Sequence, residues 1–145
     1  MHMSKIEVIN FDECPSIVNR YMLELRDVNI QKDPLRFRTN LDRIGQVMAY
    51  EISKRLDYRD VEVETPLGKS ICREPVSYTH LRAHETGRHV ASVIASQKGV
   101  DYVCGHFPAD RTTLWCGSID KEVNSHSYIV PGLGDAGDLA YGIKE

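Results

Sequence analysis

The stretch Tyr128-Ile129-Val130-Pro131-Gly132-Leu133-Gly134-Asp135-Ala136-Gly137-Asp138 constrains this chain more than any other. Three glycines, one proline and two aspartates fall within eleven residues, a composition that predicts neither a helix nor an ordinary strand. Glycine at every second or third position lets the backbone turn sharply and approach a ligand with no Cβ in the way. Such a loop reads a small molecule with its own N–H and C=O groups, while Asp135 and Asp138 supply charge.

The 145 residues suit one domain with one core. Hydrophobic residues make up 41% and charged residues 27%, which excludes wholesale disorder. The net charge of −3 argues against a nucleic-acid partner, which calls for a basic surplus. Arg36, Arg38, Arg43, Lys54 and Arg55 are interleaved with acids and read as a solvated helix face. Cys14, Cys72, Cys104 and Cys116 form no Cys-x-x-Cys pair, so buried structural thiols in a reducing cytoplasm are expected. No apolar run approaches the roughly 20 residues needed to span a bilayer, and no membrane partner is expected.

Apolar spacing predicts a helix from Pro15 to Asp27, with Ile17, Val18, Tyr21, Met22 and Leu25 on one face. A second starts at Asp33 as N-cap and Pro34 as first helical residue, and its stripe of Leu41, Ile44, Val47 or Met48, and Ile52 runs to about Leu56. Val61 to Thr65 alternates as a strand and meets a turn at Pro66 and Gly68, with Glu62 and Glu64 on a solvated face. His89 to Ala95 reads as a buried strand, Ser96 to Phe107 as a helix and Thr112 to Cys116 as a second strand. Together they predict a parallel βαβ unit. The Gly-rich loop follows it, where open parallel sheets bind ligands.

The loop resembles, nearly letter for letter, the uracil-binding loop of the uracil phosphoribosyltransferases, a type I phosphoribosyltransferase family. Leu25-Arg26-Asp27-Val28-Asn29, Met48 to Ile52, Val61 to Gly68 and Leu139-Ala140-Tyr141-Gly142 are similar to other parts of that family. The resemblance implies an α/β fold: a remnant of the parallel-sheet phosphoribosyltransferase fold with amino-terminal helices and a carboxyl-terminal βαβ unit. It implies a pentosyltransferase of pyrimidine salvage, which converts uracil and 5-phosphoribosyl 1-diphosphate to uridine monophosphate and diphosphate, usually with magnesium. By resemblance, Ile129 and the backbone of Gly134, Asp135 and Ala136 hold uracil, and Asp135 also faces the phosphoribosyl donor. Backbone N–H groups suit the two uracil oxygens and a carbonyl suits N3–H, whereas cytosine reverses the pattern at positions 3 and 4.

The resemblance breaks in the middle. That family grips its donor with a loop of the type Asp-Pro-Met-Leu-Ala-Thr-Gly, whose amides nest the 5′-phosphate. No such stretch occurs, and the only Thr-Gly is Thr86-Gly87. Family members are also longer. Residues 1–75 are therefore expected to be the amino-terminal part, 76–86 an artefactual junction and 87–145 the carboxyl-terminal part. The junction resembles translated sequencing-adapter DNA, and Arg82 is given no role. The chain is expected to lack transfer activity, with a non-catalytic uracil-binding or regulatory module as the alternative. His80 and His84 stand four apart and could share a helix face toward zinc, but no ligating motif accompanies them and no metal is assigned. His106 and His126 are expected to be surface or structural. More apolar helix surface than the small core can cover predicts a homo-oligomer.

Overall fold

The computed structural model describes residues 5–76 and 87–143. The junction lies outside the described residues except at Val76, as do His80, Arg82 and His84. The chain forms two compact units, one of Met1–Met48 with Gly87–Glu145 and one of Ala49–Thr86.

In the first unit, β1 (Glu7–Asn10) leads through a single 3-10 turn to α1 (Ile17–Arg26). The helix starts two residues after Pro15 because Ser16 caps it. The Ser16 hydroxyl accepts from the Val18 N–H, and the Asn19 side chain accepts from the Ser16 N–H. Helix α2 (Pro34–Ser53) begins as expected, with the Asp33 carboxylate accepting from the amides of Leu35 and Arg36. It ends three residues before Leu56, because Arg55 and Leu56 close i→i−3 bonds that tighten the last turn.

The buried stripes are Val18, Met22 and Leu25 on α1, and Phe37, Asn40, Ile44 and Met48 on α2. Asn40 is fully buried, and its Nδ2 donates to Glu24 Oε2 at 2.9 Å. That bond is the chief reason the Glu24 carboxyl sits below its ordinary range, with the Arg20 and Arg36 charges adding to it.

The sheet of this unit has the order β1-β5-β4, and both pairs are parallel. Strand β4 (Arg88–Ser96), α3 (Gln97–His106) and β5 (Thr112–Asp120) are the expected βαβ unit, with Ser96 capping α3 through the Gly99 amide. Strand β5 runs four residues beyond Cys116 and is almost wholly buried. Its far edge is covered by β1, too short a segment to be foreseen. The expected burial of β4 is corrected: it is half-buried, because β5 is its only strand neighbour in this sheet among the described residues. Leu114 and Cys116, two apart on β5, join Ile6 and Val100 in a core against which Val103 of α3 also packs. Trp115 meets the Phe11 ring at 6.5 Å between centroids, and its Nε1–H donates to His89 Nδ1 at 3.1 Å.

In the second unit the last residues of α2 lead into a hairpin of β2 (Tyr58–Thr65) and β3 (Gly68–Pro75). The strands are antiparallel across the turn expected at Pro66. Cross-strand ion pairs line one face, with Glu62 on Lys69 and Asp60 facing Arg73. Glu62 and Glu64 are solvated, as their alternation implies.

Replacing Asn40 with alanine is expected to cost about 1 kcal/mol, since it removes a part-buried hydrogen bond to the Glu24 carboxylate. The folded pKa of Glu24 is lowered, so its contribution is present above the ordinary carboxylate range and lost as pH falls through the lowered value. Urea denaturation of Asn40→Ala should show a deficit near neutrality that shrinks in acid. A deficit independent of pH would remove Glu24 from the account.

Candidate functional site

Beyond β5 the chain makes a small ladder of β6 (Glu122–Val123) with β7 (Ile129–Val130), then the Gly-rich loop and α4 (Ala136–Tyr141). The expectation that the stretch holds no helix is corrected, since Ala136-Gly137-Asp138 opens α4. The reason is Asp135: its Oδ1 accepts from the amides of Gly137 at 2.9 Å and Asp138 at 3.1 Å. An aspartate N-cap with a second acid in the first turn starts a helix that composition alone disfavours.

The turn itself is tight. Gly132 has φ +56°, and a Cβ there would stand 2.0 Å from the Ile129 carbonyl oxygen. Gly134 has φ +90°, also a conformation that side-chain-bearing residues avoid. Gly132 and Leu133 are buried, whereas Gly134 to Gly137 are exposed. The sequence-predicted residues thus fall in consecutive parts of one turn: Ile129 half-buried on β7, Gly134 at the exposed bend, Asp135 at the cap and Ala136 as the first helical residue. Among the described residues, the amides of Gly134 and Ala136 donate no hydrogen bond. A cavity of about 570 Å³ adjoins Ala136 and Gly137, bounded on the α2 side by Leu35, Arg38, Thr39 and Asp42. The Arg38 guanidinium donates to the Ala140 carbonyl and lies 5.9 Å from the centre of the Tyr141 ring.

The loop is held from α1 and from the segment after it. Asp120, the last residue of β5, is only 8% exposed. Its carboxylate accepts two bonds from Arg26, at 2.9 and 3.0 Å, and one from the Gly132 amide at 2.8 Å. Arg26 also donates to Ser118 Oγ at 2.5 Å, and the Ser118 hydroxyl donates to Asp12. On the other side of Gly132, Gln31 Nε2 donates to the carbonyls of Leu25 at 2.7 Å and Leu133 at 3.2 Å. Asp120, Arg26 and Gln31 were not singled out in the sequence. Arg26 stood inside a stretch that was, and its partner Asp120 looks like any acid at a strand end.

Asp135 Oδ2 accepts from the Tyr128 hydroxyl at 2.9 Å. That hydrogen bond first, then the Asp135 charge, raises the Tyr128 phenol above its ordinary value. Among the thiols, Cys116 is buried, which together with nearby Cys104 pushes its pKa up to about 11 and leaves it inert. The expectation of buried thiols is corrected at Cys14, Cys72 and Cys104, which are exposed. His106 stacks on Tyr102 at 4.0 Å with its Nδ1 2.8 Å from the Tyr102 carbonyl, and His126 is exposed in the β6–β7 connection. No group of three or more His, Cys, Asp or Glu able to hold a metal occurs among the described residues.

A parallel α/β sheet with its Gly-rich loop pinned to the carboxyl end of the central strand places the chain in the class of open α/β proteins. A solved protein of Aquifex aeolicus shares this fold, with a TM-score of 0.71 at 16% identity over 94% of this chain and 99% of the other. The family model for uracil phosphoribosyltransferase matches residues 76–143. A uracil phosphoribosyltransferase of Porphyromonas gingivalis is 37% identical over 216 residues, spanning 96% of this chain and all of that protein. Another, of Thermococcus gammatolerans, is 25% identical and spans 93% of each. This chain belongs to the uracil phosphoribosyltransferase family. Since the Porphyromonas relative aligns end to end over more residues than the 145 present, it carries an internal block without counterpart in this chain.

Substituting Asp135 with asparagine keeps a competent N-cap but removes the charge beside Tyr128. A phenol whose folded pKa is raised holds its contribution below the ordinary value and loses it as pH rises through the raised one. NMR titration of the tyrosines should therefore show Tyr128 ionising at lower pH in Asp135→Asn than in the parent. An unmoved titration would mean that the contact does not persist in solution.

Proposed function

We propose that this chain retains the uracil-recognising part of a phosphoribosyltransferase and lacks the part that holds the phosphoribosyl donor. The reaction of this lineage joins uracil to 5-phosphoribosyl 1-diphosphate, forming uridine 5′-monophosphate and diphosphate in pyrimidine salvage. The observation that carries the base site is the exposed, hydrogen-bond-free pair of amides at Gly134 and Ala136 on a loop anchored from both sides. Two unengaged N–H donors on an anchored loop suit the two carbonyl oxygens of uracil. Ile129 flanks the bend, and Asp135, fixed by the cap, lies between the donors.

The donor site is another matter. Transfer needs amides that cradle the 5′-phosphate and groups that stabilise charge on the departing diphosphate. The sequence has no Asp-Pro-Met-Leu-Ala-Thr-Gly type of loop. Magnesium belongs to the family's reaction, and an ion carried by the donor's phosphates needs no cluster of three or more acidic groups from the protein. Magnesium commonly binds through substrate phosphates, and no step proposed for this chain runs through the ion.

Self-association is part of the proposal. Leu35 at 66% and Tyr141 at 84% exposure are apolar surface that a second copy would cover. Light scattering that finds only monomer at micromolar concentration would count against it. A cytoplasmic setting is proposed on the support of four free thiols, and cell fractionation would check it. No described helix is long and apolar enough to cross a membrane.

Calorimetric titration should detect uracil binding and no cytosine binding, and Gly134→Val should abolish the signal because a branched side chain cannot take φ +90° without distorting the bend. Adding 5-phosphoribosyl 1-diphosphate and magnesium should yield no uridine monophosphate above a protein-free control. Product that disappears in Asp135→Asn would show that the chain transfers after all.

A further inference from the structure

We propose that Arg26 and Asp120 are a positioning pair for the base-recognising loop, acting through the Gly132 amide without touching the ligand. The inference deepens the uracil-site proposal and rests on it for its functional meaning, although its geometry stands alone.

Gly132 is buried, so its amide must find a partner or remain an orphan donor. The tight approach to Ile129 O leaves no room for a side chain to help from within the turn. Asp120 supplies the acceptor, and a carboxylate so enclosed needs a cation in turn. Arg26 provides it with a two-pronged contact that lysine cannot reproduce. The pair therefore sets where the Gly132 amide stands relative to β5. Gln31 sets the next carbonyl, Leu133, from the segment after α1. Gly134 and its exposed amide follow immediately, so any shift at Gly132 or Leu133 is transmitted to the donors. Asp12 accepts from the Ser118 hydroxyl, which fixes the oxygen to which Arg26 donates.

A stabilising salt bridge with no bearing on the loop predicts something different, and the full chain can distinguish the two. Asp120→Asn and Arg26→Lys would be compared with Arg20→Ala, which breaks only the exposed Arg20–Glu24 pair on the same helix. The readouts are amide hydrogen exchange at Gly132 and along β5, together with uracil affinity by calorimetry. Expected are faster exchange at Gly132 with β5 protection retained, and at least a tenfold loss of uracil affinity in both pair variants. Arg20→Ala should match the parent. If Asp120→Asn does not fold, Arg26→Lys, which keeps the charge and loses the fork, carries the same readouts. Exchange at Gly132 unchanged, or raised equally along β5, would overturn the assignment. A parent chain with no affinity for uracil would sink the base-site proposal alone, leaving the exchange pattern to decide the positioning pair.

Discussion

A carboxylate enclosed at the end of a central strand is costly to desolvate, by several kcal/mol even after the protein relaxes around it. Asp120 is in that position, and the order of this unit follows from how its charge is met. Arg26 reaches it from the end of α1, the Gly132 amide reaches it from the loop, and Ser118 links the same guanidinium to Asp12. Three segments are joined by one group of charges. The loop owes its bend to glycine, but it owes its location to that carboxylate.

Much of this arrangement was legible from the residues. Helices α1 and α2 announced themselves by apolar spacing, and Asp33 and Ser96 were placed at helix starts that the structure bears out. The βαβ unit followed from two β-branched runs flanking a helical one. What escaped was short or polar. Strand β1 is four residues long, too brief to show a period, and β3 carries only Ile71 and Cys72 as apolar residues in Gly68–Arg73. Helix α4 was missed because two glycines near its start outweighed, on composition, a single capping aspartate. Asp120 was missed because burial is a tertiary property. Its cation lies 94 residues away, and no local pattern records such a pairing.

The sheet shows what a shortened chain gives up. A central strand flanked on both sides can bury nearly every residue, as β5 does, while β4, with one neighbour in the sheet among the described residues, is half-buried. The proposed separation of base and donor sites has the same origin. In that proposal, base recognition rests on backbone groups of a loop that hangs from β5, so it would persist wherever that hanging persists. Donor recognition, in the same proposal, rests mainly on a phosphate-cradling segment that the sequence does not contain.

The anchors of the loop also fix when it can take shape. Its contacts to Arg26 through Asp120 and directly to Gln31 bridge separations of 94 and 102 residues, among the most distant in sequence that the fold makes. Closing such long stretches of chain is entropically slow, and neither contact can form until β5 and the loop after it have been made and have met the segment of α1. The glycines of the motif are thus present in every fragment that contains the carboxyl-terminal third, yet their working geometry belongs only to a chain whose two ends have found each other.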